Sequence, residues 1–93
     1  MKPLSTELYE HLALSFYKPN HRHHDYLLEG LQEEIEEVFE ARTDKDRLDE
    51  LGDVLWYITV IANRMGANLD TMMKTNINKL ERRQLNGKEN KNA

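Results

Sequence analysis

The stretch DYLLEGLQEEIEEVFEARTDKDRLDELGDVLWYITVIANRM, residues 25–65, carries two apolar repeats of helical period with a short polar break between them. At about 100° of turn per residue, Leu27, Leu28, Leu31, Ile35 and Val38 share one side of the first repeat. Leu48, Leu51, Leu55, Ile58 and Ala62 share one side of the second, while Trp56, Tyr57, Val60 and Ile61 add apolar surface elsewhere on it. No segment alternates with the period of two that a half-buried strand shows. The expectation is a pair of antiparallel helices, the second buried on more than one side.

Outward from this pair, local stop and start signals divide the chain. Asp25 is placed to cap the first of the two helices, which is expected to reach about Arg42. Thr43 and Asp46 resemble a capping pair that opens the second, which runs to about Met65 and stops at Gly66. Upstream, Leu8, Leu12, Ser15 and Phe16 predict a helix over about Ser5–Tyr17, ended by Pro19 because Lys18 is pushed out of helical geometry. Downstream, Asn68 caps a fourth helix with Asp70 in its first turn, ending near Leu85 to Gly87. Met65, Met72 and Met73 read as core filling. Residues 88–93 have almost no apolar content and read as a disordered tail. The fold class is all-α: one four-helix domain over residues 1–87, with the tail at 88–93.

Composition narrows what such a domain can do. With 93 residues the chain is one domain with a modest core, and oligomerisation is a common remedy. The absence of cysteine excludes disulfides, cysteine-ligated zinc and thiol catalysis, and it fits a cytoplasmic location. No apolar run approaches the roughly 20 residues of a membrane helix, so no membrane partner is expected. A net charge of −4 argues against general nucleic-acid binding. The charges are unevenly placed, acidic over residues 29–53 and basic over 74–88. That division suits a metal with a phosphorylated ligand, but charge alone favours simple balance between neighbouring surface helices.

The acidic residues separate by face. Glu29, Glu33, Glu36 and Glu40 lie on or near the side opposite the apolar stripe, as solvated residues do. Glu34 and Glu37 border the stripe on the flank of the small residues Gly30 and Ala41, where an ion or another helix can approach. On the next helix Glu50 and Asp53 sit one turn apart, on a flank continued by Tyr57 and Ile61. Like charges so spaced repel, and burying them unpaired is costly. A cation would remove that cost, and carboxylate oxygens suit magnesium or manganese rather than zinc. Antiparallel packing can bring the two pairs together.

Three stretches, in order, then match a family pattern. Glu33-Glu34-Ile35-Glu36-Glu37, followed by Glu50-Leu51-Gly52-Asp53, resembles the EExxE…ExxD signature of the MazG-like nucleotide pyrophosphohydrolases. Val54-Leu55-Trp56-Tyr57-Ile58 is similar to the family's segment immediately after that signature, and Asn76-Ile77-Asn78-Lys79-Leu80-Glu81-Arg82-Arg83 resembles the family's NxxKLxxR segment. The resemblance covers about residues 25–87. It implies an all-α fold that cleaves a nucleoside triphosphate between the α and β phosphates, giving a monophosphate and pyrophosphate. By position it implies Glu34, Glu37, Glu50 and Asp53 as magnesium ligands, and Glu33 as a residue that positions water or a second metal. The base of the reaction is left open among Glu33, Glu34 and Glu37. Lys79 and Arg82 match the basic residues near the phosphates, with Arg83 beside them, and Asn76 matches a substrate contact. Tyr57 matches an aromatic position near the nucleotide. Trp56 reads either as core or as a platform for the base.

Two departures stand out. Glu36 replaces a residue that is usually glycine in the motif, and the interval from Glu37 to Glu50 is at the short end of the family's range. The surplus apolar surface of the Trp56 helix predicts a homodimer or homotetramer, with part of the substrate pocket supplied by another subunit. Two rivals remain: a non-catalytic helical interaction protein, and a phosphoribosyl-ATP-type pyrophosphohydrolase of the same fold. His21, His23 and His24 are too tightly spaced to converge on one metal and read as surface residues. A di-iron bundle would need two Glu-x-x-His motifs, and none occurs.

Overall fold

A computed structural model of the chain describes residues 3–18 and 25–87, with Asp25 described by its backbone alone. The expectations for Pro19, His21, His23, His24, the Asp25 cap and the 88–93 tail fall outside the described residues. Four helices follow one another: α1 (Thr6–Ser15), α2 (Asp25–Glu40), α3 (Asp44–Arg64) and α4 (Leu69–Leu85). The all-α, four-helix expectation holds.

Each described boundary has a local cause. Ser5 caps α1 by accepting the Leu8 N–H at 3.0 Å. The helix ends two residues earlier than its apolar pattern because Phe16 and Tyr17 turn back to the carbonyls of Ala13 and Leu14, three residues behind, and so tighten the last turn. Thr43 caps α3 by accepting the Asp46 N–H at 3.1 Å, and Asn68 caps α4 by accepting the Thr71 N–H at 2.8 Å. Between α3 and α4, Gly66 adopts φ +83. Its N–H bonds to the Asn63 carbonyl, and that of Ala67 reaches back to Ala62 at 2.9 Å. This pair of bonds is a Schellman closure, which needs a left-handed residue where glycine alone is unstrained.

The α2–α3 hairpin is the principal packing unit, with α1 and α4 set against α3 and against each other. Arg47 closes the hairpin turn, its guanidinium donating to the Ala41 carbonyl at 2.8 Å and to the Val38 carbonyl at 3.4 Å. α1 is fastened twice: the Trp56 indole N–H donates to the Ala13 carbonyl at 2.9 Å, and Glu10 accepts the Leu69 N–H at 3.0 Å. The second bond puts a carboxylate on the first N–H of α4, where the helix dipole favours it.

The core is small: Ala13, Leu27, Thr59, Val60, Ala62 and Leu69. The polar one, Thr59, gives its hydroxyl proton to the Leu55 carbonyl at 2.8 Å. The apolar stripes read from the sequence are correct in phase but only partly covered. In α2, Leu27 is buried and Leu31 and Val38 are half-buried, whereas Leu28 and Ile35 are exposed. In α3, Leu48, Leu51 and Leu55 are exposed. Met65 and Met73 do not fill the core as expected: Met65 is the cap that leaves α3, and Met73 lies on α4 beyond its anchored first turn, so both are exposed. Met72 is half-buried. Among the described residues, no helix is long and apolar enough to cross a membrane.

A carboxylate cluster beside an aromatic cleft

Helical phase carries Glu34 of α2 and Glu50 and Asp53 of α3 to the same side of the hairpin. There the three side chains each bring one carboxylate oxygen within 4.8 Å of the others. Glu34 and Glu50 are half-buried and Asp53 is exposed, so the cluster opens outward from the hairpin seam. One oxygen of Glu34 and one of Glu50 are out of contact with water and have no hydrogen-bond donor.

That arrangement has an electrostatic signature. Burial, followed by the neighbouring Glu37, Asp53 and Glu50, pushes the Glu34 carboxyl up to about 7. Glu50 is also raised, first by its side-chain contact with Glu37 and then by burial. Burial and like charge both disfavour the ionised form of Glu34 and Glu50, and a cation among them would remove that penalty. Glu37 therefore belongs to the charge environment of the cluster although it is outside the tightest set of three. It also lines a cleft with Ala41, Arg42, Asp46 and Glu50 toward the hairpin turn. The orphaned oxygens and the all-carboxylate donor set fit a hard divalent cation.

Tyr57 links the cluster to a second feature. Its ring lies where a side chain at position 30 would be: a Cβ on Gly30 would come within 2.5 Å of it. The small residue on the carboxylate flank thus makes room for a tyrosine from the facing helix. Burial raises the Tyr57 hydroxyl, with Tyr26, Glu34, Glu33 and Asp53 adding to the shift, so it stays a proton donor at the edge of the acidic site. On its other side Tyr57 meets Trp56 edge-on, with ring centroids 5.1 Å apart, and Tyr17 stands 6.4 Å beyond Trp56. Phe16, Tyr17, Tyr26, Trp56 and Tyr57 enclose a cleft of about 200 Å³, with Lys18 at its wall.

The other expected site residues are dispersed. Glu33 is exposed, close enough for its charge to reach Tyr57. Glu36 is exposed, as its phase on the solvent side requires. Asn76, Lys79 and Arg82 are exposed on α4 and Arg83 is half-buried there. α4 packs on α1 and α3, and its backbone does not come close to that of α2. Four contributors were missed in the sequence: Tyr9, Phe16, Tyr17 and Tyr26. Tyr9 of α1 has its hydroxyl raised by burial and by the Asp53 charge, which puts α1 beside the cluster. Tyr26 and the Phe16–Tyr17 pair wall the cleft. Aromatic residues flanking a helix break are the only trace of this in the sequence.

Residues 22–87 match the MazG nucleotide pyrophosphohydrolase domain, so the match takes in α2, α3 and α4 and leaves α1 outside. The chain is also similar to the Gene 37 protein of Mycobacterium phage L5, 45% identical over 38 residues. That alignment takes in 41% of this chain and 33% of the phage protein, about a third of the relative's length. No solved structure matches.

Proposed function

This chain belongs to the MazG nucleotide pyrophosphohydrolase domain family, and from that premise we propose that it hydrolyses a nucleoside triphosphate to the monophosphate and pyrophosphate with magnesium. The observation that carries the reading is the pair of buried, donorless oxygens on Glu34 and Glu50 beside Asp53.

In this reading Glu34, Glu37, Glu50 and Asp53 hold magnesium, with manganese as a substitute of similar donor preference. When bound, the ion supplies charge neutralisation at the phosphate oxygens and favours an ionised water. The protein holds a water in line with the α phosphorus through a carboxylate of Glu33, Glu34 or Glu37. Attack forms the new P–O bond as the α–β anhydride breaks, the water's proton passes to that carboxylate, and pyrophosphate leaves with the bridging oxygen. Tyr57 and Trp56 line the aromatic cleft, which supports a role for the cleft as the seat of the base. Asn76, Lys79, Arg82 and Arg83 meet the phosphates and sugar. The bare apolar surface of α2 and α3 supports a homodimer or homotetramer. A small-molecule substrate and a cytoplasmic location complete the reading.

Glu37→Gln or Asp53→Asn is expected to abolish pyrophosphate release while circular dichroism keeps the helix content. Unchanged turnover in either variant refutes the assignment. Magnesium with a triphosphate should raise the melting temperature of the wild type, because a ligand of the native state stabilises it. A non-catalytic interaction protein would show neither effect.

A further inference from the structure

We propose that Arg64 is a positioning residue for the nucleotide base: its guanidinium, set over Tyr17, holds that ring in place as a wall of the aromatic cleft. The inference rests on the reading of the cleft as the seat of the base, and it names the residue that keeps the seat in shape.

The flank of α3 that begins with Asp53 carries Tyr57 one turn later and Arg64 two turns after that. Arg64 therefore stands about 16 Å along the helix from Asp53, remote from the carboxylates. What lies beside it is an aromatic ring: the guanidinium carbon is 5.7 Å from the centroid of Tyr17. From there the rings follow one another. Tyr17 is 6.4 Å from Trp56, Trp56 is 5.1 Å from Tyr57, and Tyr57 fills the space over Gly30 at the edge of the cluster. A row of three rings thus runs from a cation at one end to the carboxylates at the other.

The three rings are not held alike. Tyr57 is seated in the hairpin seam, and Trp56 is fixed by its bond to the Ala13 carbonyl. Tyr17 follows the end of α1 and is half-buried, and its backbone N–H reaches back to Leu14 of its own helix. Its ring is left to what α3 provides, which is Trp56 and Arg64. Arg64 has no competing task. It is exposed and forms no ion pair among the described residues. The cavity of about 360 Å³ that it lines with Leu27, Leu28, Ile61 and Met65 offers it no opposite charge. A planar guanidinium over an aromatic face is a favourable use of such a cation. Without it the Tyr17 ring would be freer, and each base entering the cleft would have to order that ring again. That cost falls on affinity, because the carboxylates that act on the phosphates are untouched. Tyr17 also lies before residues 22–87, so the segment that matches the family contains Arg64 but not the ring it holds.

The test reads the cleft directly. Trp56 is the only tryptophan of the chain, so its fluorescence reports on the cleft. The probes are the ordinary nucleosides, which carry no phosphate and so report the base seat whatever the carboxylates do. The proteins are the wild type, Arg64→Met, Arg64→Lys, Tyr17→Leu and the Arg64→Met/Tyr17→Leu double variant, each checked by circular dichroism for wild-type helix content. Where Tyr17→Leu loses helix, Tyr17→Met replaces it. Arg64→Met is expected to weaken binding of the best-quenching nucleoside by about two- to fivefold, the worth of an exposed cation–π contact. Arg64→Lys keeps a cation over the ring and should bind within about twofold of the wild type. In the Tyr17→Leu background Arg64→Met should have no further effect, because Arg64 acts through that ring. With magnesium and the matching triphosphate, Arg64→Met should raise KM by the same factor and leave kcat within about twofold. Wild-type affinity in Arg64→Met overturns the inference, as does an undiminished effect of Arg64→Met in the Tyr17→Leu background, or a loss confined to kcat. Quenching of the wild type by no nucleoside removes the base seat and this inference with it, whereas pyrophosphate release by the wild type decides the hydrolase reading separately.

Discussion

Gly30→Ala tests whether the hairpin seam is built around Tyr57. In an ordinary helix the change is stabilising by roughly 1 kcal/mol, because alanine restricts the unfolded chain and suits the helix. Here the added methyl carbon would stand 2.5 Å from Cε1 of Tyr57 and 2.7 Å from both Cζ and Oη. The ring must move, and overpacking of this kind costs about 1–3 kcal/mol. The sum is a net loss of about 0–2 kcal/mol. In a Tyr57→Ala background the obstruction is gone, so the same substitution should instead stabilise by up to about 1 kcal/mol. Urea midpoints for the four proteins, followed by circular dichroism at one fixed protein concentration, give the double-mutant cycle directly. The expected coupling between the positions is about 1–3 kcal/mol. Equal effects of Gly30→Ala in the two backgrounds would show that Tyr57 does not occupy the space over Gly30, and the geometry argued for the site would fail with it.

Three other outcomes follow from the packing and the charges. In the absence of metal, Glu34 binds a proton up to about pH 7 in the folded chain but loses it near 4.5 when unfolded, so stability should fall as pH rises from about 4.5 to about 7. Melting temperatures with a chelator across that window should show the decline, magnesium should offset it increasingly toward pH 7, and Glu34→Gln should flatten it; a chelated wild type whose melting temperature rises through the window contradicts the cluster. Trp56→Phe removes the indole bond to the Ala13 carbonyl and should cost about 1 kcal/mol in urea titrations, with faster proteolysis of α1. Thr43→Ala removes the acceptor for the Asp46 N–H and should cost about 1 kcal/mol, measured the same way.

The helices and two of the caps were legible because their causes are local. Thr43 and Asn68 act within three residues of themselves, and Gly66 needs only its own backbone freedom. The carboxylate cluster was legible for a related reason: a period of 3.6 separates Glu34 from Glu33 and Glu36 without any tertiary information. Periodicity marks a side chain as apolar-facing, but it does not say whether anything faces it. Leu48, Leu51 and Leu55 read as core for that reason, and the structure leaves them bare. The contacts of Tyr57 with Gly30 and of Trp56 with Ala13 join residues far apart in the chain, so no local pattern announces them. The nearness of Tyr9 to Asp53 is equally silent, since α1 lies outside the segment that matches the family.

The turn closed by Arg47 has a consequence for how such a site can vary. Glu34 stands six residues before the last residue of α2, and Glu50 six residues after the first residue of α3. The hairpin is thus a caliper whose jaws meet because its arms are equal. Adding about seven residues to both arms would carry the jaws roughly 10 Å further from the pivot while rotating each by only about 20°. Adding them to one arm would slide the jaws past each other by the same distance. Symmetry of length about the turn, rather than any one length, is what the chemistry requires of this part of the chain.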